Sequence, residues 1–284
     1  MKEQIDTVVR DINKLPPMSN VVIRVMNLVR DPAVSIQELA TEILKDPAIT
    51  ASILKLSNSA YYRASKPIRT VQEALMTLGI KTVKEIIILT ASKAILNKEL
   101  KGYQLEGDAL WLQSLVVAEL SSRIAREKGL NVEKDLIFTA GLLHGIGKVI
   151  LSQFFPGVMF KIRNELKADN TLKFTEIEKK YFGYTYAEVG KIALDTWNFP
   201  DELKEAVAYH LEPEKAKGYP LIASVVHVSH TISIVSGIGI DIGGIYQELS
   251  PFALKLTKVT ESDLEKFYLS MPELEKSIND LRNP

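Results

Sequence analysis

The stretch TVQEALMTLGIKTVKEIIILTASKAIL, Thr70–Leu96, decides the fold class. Its apolar residues recur at intervals of three and four, as in a helix that buries one face. The β-branched run Glu85–Thr90 would also suit a strand, but the helical spacing continues through Ala94 and Ile95. The stretch is therefore predicted to be helical, and Gly79 is predicted to end its first helix in the left-handed conformation.

Ser/Thr-x-x-Glu patterns at four positions predict where helices begin. In such a capping box the hydroxyl accepts a free amide of the first turn, and the carboxylate reaches back to the cap amide. Asp46-Pro47 predicts another helix start, with an Asp cap followed by proline at the first helical position. Strand–helix alternation and Asn-Gly or Asp-Gly hairpin signals are absent from the sequence, so an all-α fold is predicted. The four pairs are Ser35/Glu38, Thr70/Glu73, Thr82/Glu85 and Thr175/Glu178.

Composition narrows the class of protein. Of the 284 residues 46% are hydrophobic and 25% are charged, as in a globular protein with a substantial core. Lys plus Arg and Asp plus Glu both total 35, whereas nucleic-acid binders usually carry a basic excess. A helix–turn–helix could be placed on Glu73–Ile87, but Val83 and Ile86 are predicted to be buried, so no nucleic-acid partner is expected. The absence of cysteine excludes disulfides and thiol nucleophiles.

The cellular location is predicted by elimination. The beginning of the chain, Met1–Pro17, mixes acidic with short apolar residues and does not have the apolar stretch of a signal peptide. The longest apolar runs, such as Ile86–Leu89, are far shorter than the ~20 residues that span a bilayer. We therefore expect a cytoplasmic protein that has no membrane association.

The chain is expected to form two packed helical lobes. Residues 97–107, NKELKGYQLEG, are polar and contain glycine, but they are too few for a long tether. Lobe one is predicted to span residues 1–100, and lobe two to span 108–284 with a helical extension at its C-terminal end. Ser236–Gly244 is rich in glycine, but it is not preceded by the strand that a kinase phosphate loop requires.

Lobe one resembles the HDOD signalling family. The resemblance is carried by Pro16-Pro17, by the helix start at Asp46-Pro47, by Leu56–Tyr61 with its Asn58-Ser59 pair, and by Thr70–Ile87. It implies a bacterial regulatory module whose second lobe is an HD-like helical core. It also implies that the protein acts by binding and not by catalysis.

Lobe two is similar to the HD phosphohydrolases at Ala140–Leu151, AGLLHGIGKVIL. In active members of that group a histidine, a His-Asp doublet and a later aspartate hold divalent metals. Such ligands fix the ion and lower the pKa of a bound water. Here His144 is retained, but Gly145 stands where the aspartate of the doublet would be.

The other positions implied by this resemblance are also changed. Gln113 stands at the position of the first histidine, and Tyr186 replaces a histidine before AEVG. A histidine pair is reduced to His210, and His230 aligns with the closing aspartate. The resemblance therefore implies a degenerate pocket that has no catalytic residue, no cofactor and no metal.

Packing roles are favoured for most of these side chains. His144 is predicted to be a core histidine bonded to a backbone carbonyl, and Trp197 to pack within lobe two. Trp197 could instead stack on a ligand, and His227 could join the remaining imidazoles around a metal. Lys148, which follows a single glycine, is predicted to be a solvated helix residue.

The predicted function is a non-enzymatic signal-transduction module. It would bind a protein partner in a signalling pathway or a small ligand, at the cleft between the lobes or at the former metal pocket, and shift the packing of the lobes. An HD-type metal-dependent phosphohydrolase or nucleotide-binding enzyme is the alternative, and an adaptor that binds only protein is a third reading.

Overall fold

The structure, a computed structural model, describes residues 19–62, 66–152, 158–168, 173–243 and 248–282. Within these ranges the regular secondary structure is helical, apart from one isolated antiparallel bridge between Leu100 and Leu105. The prediction of an all-α fold is confirmed. None of the helices in these ranges is both long and apolar enough to cross a bilayer. Pro16-Pro17 and Gly244, which entered the sequence analysis, lie outside the described residues.

In lobe one, three shorter helices pack around one long helix. The long helix α4 is interrupted at Gly79, whose backbone angles (φ 83°, ψ 160°) are not helical. The helices are α1 (Asn20–Leu28), α2 (Ile36–Ile43), α3 (Pro47–Ser57) and α4 (Val71–Leu96).

Lobe two is built around two helices whose residues are largely buried, α5 (Ala109–Glu127) and α12 (Pro220–Val235). Short 3₁₀ turns precede α5 and α12 at Lys101–Tyr103 and Pro213–Lys215. The helices up to α8 are α5 (Ala109–Glu127), α6 (Lys134–Leu143), α7 (Ile146–Leu151) and α8 (Met159–Ala168). The next four are α9 (Phe174–Phe182), α10 (Tyr186–Thr196), α11 (Asp201–Tyr209) and α12 (Pro220–Val235). The C-terminal extension contains α13 (Pro251–Thr257), α14 (Glu261–Leu269), α15 (Met271–Ser277) and α16 (Asn279–Arg282).

Two of the four predicted capping patterns begin helices. Ser35 forms a complete capping box with Glu38, and the Thr70 hydroxyl accepts the Glu73 amide. Asp46 caps α3 as predicted, since its carboxylate accepts the amides of the first turn. Two capping boxes that were not predicted, Thr185/Glu188 and Thr260/Asp263, begin α10 and α14.

The other two patterns were wrong predictions. Thr82 lies inside α4, because the helix resumes directly after Gly79. Thr175 lies inside α9, which begins one residue earlier at Phe174. The carboxylates of these patterns, Glu85 and Glu178, are buried instead. Neither glutamate caps the helix that its pattern predicted.

The two lobes share one continuous apolar core, which extends from Val22 to Leu281. The long helix α4 packs against α5, α6 and α7, so it forms the junction. The C-terminal helices fold back onto α5, where the Trp111 indole donates to the Arg282 carbonyl at 3.0 Å. Asp280 reaches lobe one, because its carboxylate accepts the backbone amide of Tyr61 at 3.2 Å.

Candidate functional site

Three imidazole rings from separate helices meet in the core of lobe two. His144 directly follows α6, His210 directly follows α11, and His230 lies within α12. The ring centroid of His144 is 4.9 Å from that of His230 and 5.2 Å from that of His210, and the third distance is 5.5 Å. No ring is more than 2% exposed. We call these three residues the histidine cluster.

Backbone carbonyls fix the tautomer of two of these rings. Nδ1 of His144 lies 2.7 Å from the Gly141 carbonyl, and Nδ1 of His210 lies 2.7 Å from the Val207 carbonyl. A carbonyl only accepts, so Nδ1 carries the hydrogen and Nε2 keeps its lone pair. The Tyr186 hydroxyl donates to that lone pair in His210 at 2.9 Å. Nε2 of His144 and both nitrogens of His230 have no partner among the described residues.

His227 has a separate, structural role. Its Nδ1 donates to the His210 carbonyl at 2.8 Å, and its Nε2 accepts the Ser250 amide at 2.9 Å. The ring thus joins the end of α11 to the beginning of α13. The bonding capacity of both nitrogens is used by the backbone, so His227 does not offer a free lone pair.

Gln113 is directed towards a loop. Its amide nitrogen donates to the carbonyls of Ile238 and Gly239 at 3.3 and 3.1 Å, while its Oε1 has no partner. Gly239 has φ +66°, and a Cβ there would lie 2.5 Å from Gln113 Cβ. The side chain at the expected position of a metal-binding histidine therefore holds the loop that follows α12.

The space beside Gly145 is occupied by another side chain. A Cβ on Gly145 would lie 2.8 Å from Cδ1 of Leu110, so an aspartate there would require Leu110 to move. Two residues later, a Cβ on Gly147 would lie 1.9 Å from the Tyr186 carbonyl oxygen. Gly147 is thus required for the close packing of α7 on α10, which brings Tyr186 to the histidine cluster.

A buried ion pair lies beside the cluster, and the sequence analysis did not predict it. Lys148 was predicted to be solvated, but its side chain is 1% exposed and its Nζ lies 2.6 Å from Asp241 Oδ2. The ammonium also lies over the rings of Tyr186 and Tyr103, at 4.6 and 5.9 Å from their centroids. Asp241 is the one acid in the glycine-rich segment, but no local pattern connects it with Lys148, which lies far from it along the chain.

The buried side chain of Glu178 connects residues 97–107, the segment between the lobes, to the histidine cluster. The Tyr103 hydroxyl donates to its Oε1 at 2.5 Å, and the Tyr186 amide donates to its Oε2 at 3.1 Å. Because Tyr186 also bonds His210, the network continues from Tyr103 to the histidine cluster. Residues 97–107 are therefore held to lobe two by hydrogen bonds as well as by apolar contacts.

Burial sets the charge state of these groups. Burial, together with the nearby Lys148 ammonium, lowers the pKa of His144 to about 3. Burial, and then the neighbouring His144, hold the pKa of both His210 and His230 well below the usual range. Burial raises the pKa of Glu178 to about 8, although the Tyr103 hydroxyl and the Tyr186 amide oppose the shift. At neutral pH the three imidazoles are uncharged.

The residues do not fit the divalent metal that the HD resemblance implies for active members. Nε2 of His210 is used by Tyr186, and Gly145 offers no carboxylate. Lys148 is committed to Asp241, the acid on the loop that Gln113 holds. No group of three or more His, Asp or Glu side chains is placed to hold a metal within the described ranges. We therefore derive no chemical step through a metal here.

Trp197 lies at the junction of the lobes. Its ring packs edge-on against Phe199, with 6.5 Å between centroids, and it is 5% exposed. With Val22, Ile23 and Met26 of α1 it lines a small cavity. Trp197 is thus buried against Phe199 of lobe two and lies beside α1 of lobe one.

Comparison with known proteins identifies the family of the chain. A family model described as HDOD domain matches residues 15–213, which is more than half of the chain. An HDOD domain protein with unknown function from Geobacter sulfurreducens has the same fold, with a TM-score of 0.71 and 24% sequence identity. That similarity covers 99% of this chain and 98% of the other.

Two curated relatives are longer than this chain. An uncharacterized protein from Treponema pallidum (strain Nichols) is 22% identical over 230 residues, which are 80% of this chain and 44% of the relative. Ribonuclease Y from Mycoplasma capricolum subsp. capricolum is 27% identical over 245 residues, which are 85% of this chain and 39% of that protein. The chain thus spans less than half the length of either relative.

Proposed function

Because this chain belongs to the HDOD domain family, we propose that it is a non-enzymatic regulatory module that binds a protein partner or a small ligand. The proposal treats lobe two as a scaffold whose former metal pocket has become a hydrogen-bonded core. Signals would pass through the packing of lobe one against lobe two, since α4 contacts helices of both.

The observation that carries the proposal is how the changed positions are used. The Tyr186 hydroxyl takes the Nε2 lone pair of His210, and the Gln113 amide takes two loop carbonyls. Leu110 fills the space beside Gly145. Each replacement contributes a structural contact, whereas metal-assisted hydrolysis needs free ligands and an open coordination position.

An HD-type phosphohydrolase or nucleotide-binding enzyme is the second candidate function. The similarity to Ribonuclease Y favours it. Hydrolysis of bis(p-nitrophenyl) phosphate with added Mn²⁺, Fe²⁺ or Mg²⁺, together with elemental analysis of protein purified without chelators, separates the two candidates. We expect substoichiometric metal and no hydrolysis above the protein-free rate. A full equivalent of bound metal with hydrolysis that His144→Ala removes would establish the enzyme instead.

A His144→Ala variant tests whether the histidine cluster itself carries the signal. We expect the free energy of unfolding to fall by about 1–3 kcal/mol, because the buried bond to the Gly141 carbonyl is lost. A partner isolated by pull-down from the native host should bind the folded variant as it binds the parent protein. His227→Ala, which also removes a buried ring, is the matched control for packing. Loss of partner binding by His144→Ala at an unchanged unfolding midpoint would show that the cluster is the sensor.

A further inference from the structure

A large cleft lies where the two lobes meet. This inter-lobe cleft has a volume of about 960 Å³. Its walls come from the residues after α3, from α4 on both sides of Gly79, from α5, from the beginning of α6 and from the two C-terminal helices. The volume is at the upper end of those found for small-molecule sites. Elements of both lobes line the cleft, so a bound molecule would contact both.

Glu85 lines this cleft and is largely buried. The residue is 7% exposed, and it makes no hydrogen bond or ion pair with the described residues. Burial raises the pKa of Glu85 to about 7. Lys134 and Lys84 oppose this shift, whereas Asp135 and Glu119 add to it. Lys84 is already paired with Asp135 at 2.5 Å, so an ionised Glu85 has unused capacity for a cation.

Two tyrosines and a second carboxylate complete the inner wall. The Tyr61 hydroxyl donates to Glu119 Oε2 at 2.7 Å, and the rings of Tyr61 and Tyr62 meet edge-on with centroids 4.9 Å apart. The Tyr62 hydroxyl is buried and has no partner among the described residues. Burial and the nearby carboxylates raise the pKa of both tyrosines, so both hydroxyls stay protonated. The wall therefore offers a free donor, aromatic rings and acidic oxygens.

The remaining charges of the lining lie towards the C-terminal helices and the rim. Besides Glu85 and Glu119, the lining has two further acidic side chains, Glu273 and Asp280. Its basic side chains are Lys134 and Lys276. Both lysines are exposed, whereas Glu85 is buried and Glu119 is half-buried. Glu85 and Glu119 are thus less exposed than the two lysines, whereas Glu273 is exposed as they are.

We propose that the inter-lobe cleft binds a small organic cation, a free molecule with a guanidinium or ammonium group, at Glu85, Glu119 and the Tyr62 ring. A guanidinium group forms strong charge-assisted bonds with carboxylates, and a cation also gains from the face of an aromatic ring. This inference rests on the proposed regulatory function, since it names the ligand class that would bias the packing of the lobes. It does not depend on the histidine cluster, which is not part of the lining.

Ionisation of Glu85 gives the proposal a pH signature. The carboxyl group of Glu85 must lose its proton to bind a cation. The affinity for the cation should therefore rise by about tenfold between pH 6 and pH 8. The charged groups that act on Glu85 are Lys84, Lys134, Asp135 and Glu119. A cation held only by surface acids would show no such dependence.

Calorimetric titration of the full chain with butylguanidinium and butylammonium tests the proposal. We expect saturable binding with a dissociation constant on the order of 1 mM at pH 8, and at least tenfold weaker binding of the neutral isostere butylurea. Glu85→Gln should weaken binding of the cations about tenfold and remove the pH dependence. Glu261→Gln, an exposed acid in α14, is the matched control and should bind like the parent protein.

The outcomes separate this proposal from the proposed function. Absence of saturable binding of both cations, or equal binding by Glu85→Gln and the parent protein, would overturn the cleft proposal and leave a non-enzymatic module intact. Metal-dependent hydrolysis would overturn the module and leave the binding result standing. A capped tripeptide with a central arginine that binds more than tenfold tighter than butylguanidinium would reassign the cation to a partner's side chain.

Discussion

The histidine cluster and the inter-lobe cleft both bury ionisable side chains, but they treat them differently. Around the cluster Lys148 is paired with Asp241, and Glu178 accepts two hydrogen bonds. In the cleft Glu85 lies beside an open volume and has no partner among the residues that the structure describes. The imidazoles stay neutral across physiological pH, whereas Glu85 titrates within it. Partners and access to a cavity, and not burial alone, distinguish a structural polar core from a candidate binding site.

The largest expected effect comes from breaking the paired charge of the core. Asp241→Asn leaves the Lys148 ammonium buried opposite a neutral amide, so the free energy of unfolding should fall by about 3–5 kcal/mol. Urea denaturation at pH 7 measures this loss. Asp201→Asn, which removes an exposed partner of Lys204, is the control and should leave the free energy of unfolding nearly unchanged. Equal losses for the two variants would remove the distinction between the core and the surface.

Neutralising Glu85 in the cleft should raise the free energy of unfolding instead of lowering it. The pKa of Glu85 is about 7 in the folded chain against 4.5 when it is exposed, so its contribution to stability is lost as pH rises from 4.5 through 7. Glu85→Gln should therefore raise the free energy of unfolding by roughly 1–3 kcal/mol at pH 8, with a smaller gain at pH 5. The measurement is denaturation at both pH values. A loss of stability at pH 8 would mean that Glu85 has a partner in the folded protein.

A smaller effect concerns the acid stability of the histidine cluster. Burial depresses the pKa of His144 to about 3, so its contribution is present above its unfolded pKa near 6.5 and is lost as pH falls below that value. His144 should account for about 1.4 kcal/mol of stability per pH unit between pH 6 and pH 4. His144→Gln should reduce the slope of unfolding free energy against pH by that amount. An unchanged slope would show that the ring is not held neutral by its burial.

Local sequence patterns predicted the helical fold well. The spacing of apolar residues along Thr70–Leu96 was sufficient to predict a helix there, and Ser35/Glu38 and Asp46-Pro47 marked helix starts correctly. These features depend on hydrogen bonds and side-chain faces within a few residues of each other. The positions Gly145 and Tyr186 were instead singled out by the resemblance to HD phosphohydrolases, and they stay a prediction.

Long-range packing determined the environment of several charged side chains, which local sequence patterns did not predict. Glu85 and Glu178 belong to the same local pattern as Glu38, but tertiary contacts bury their carboxylates in the cleft and in the core. Lys148 was predicted to be solvated because its partner, Asp241, lies far away along the chain. The sequence by itself determined the helical character of the chain. Only the folded chain determined which polar groups found partners, because desolvation depends on the elements that pack around a side chain and not on its neighbours in sequence.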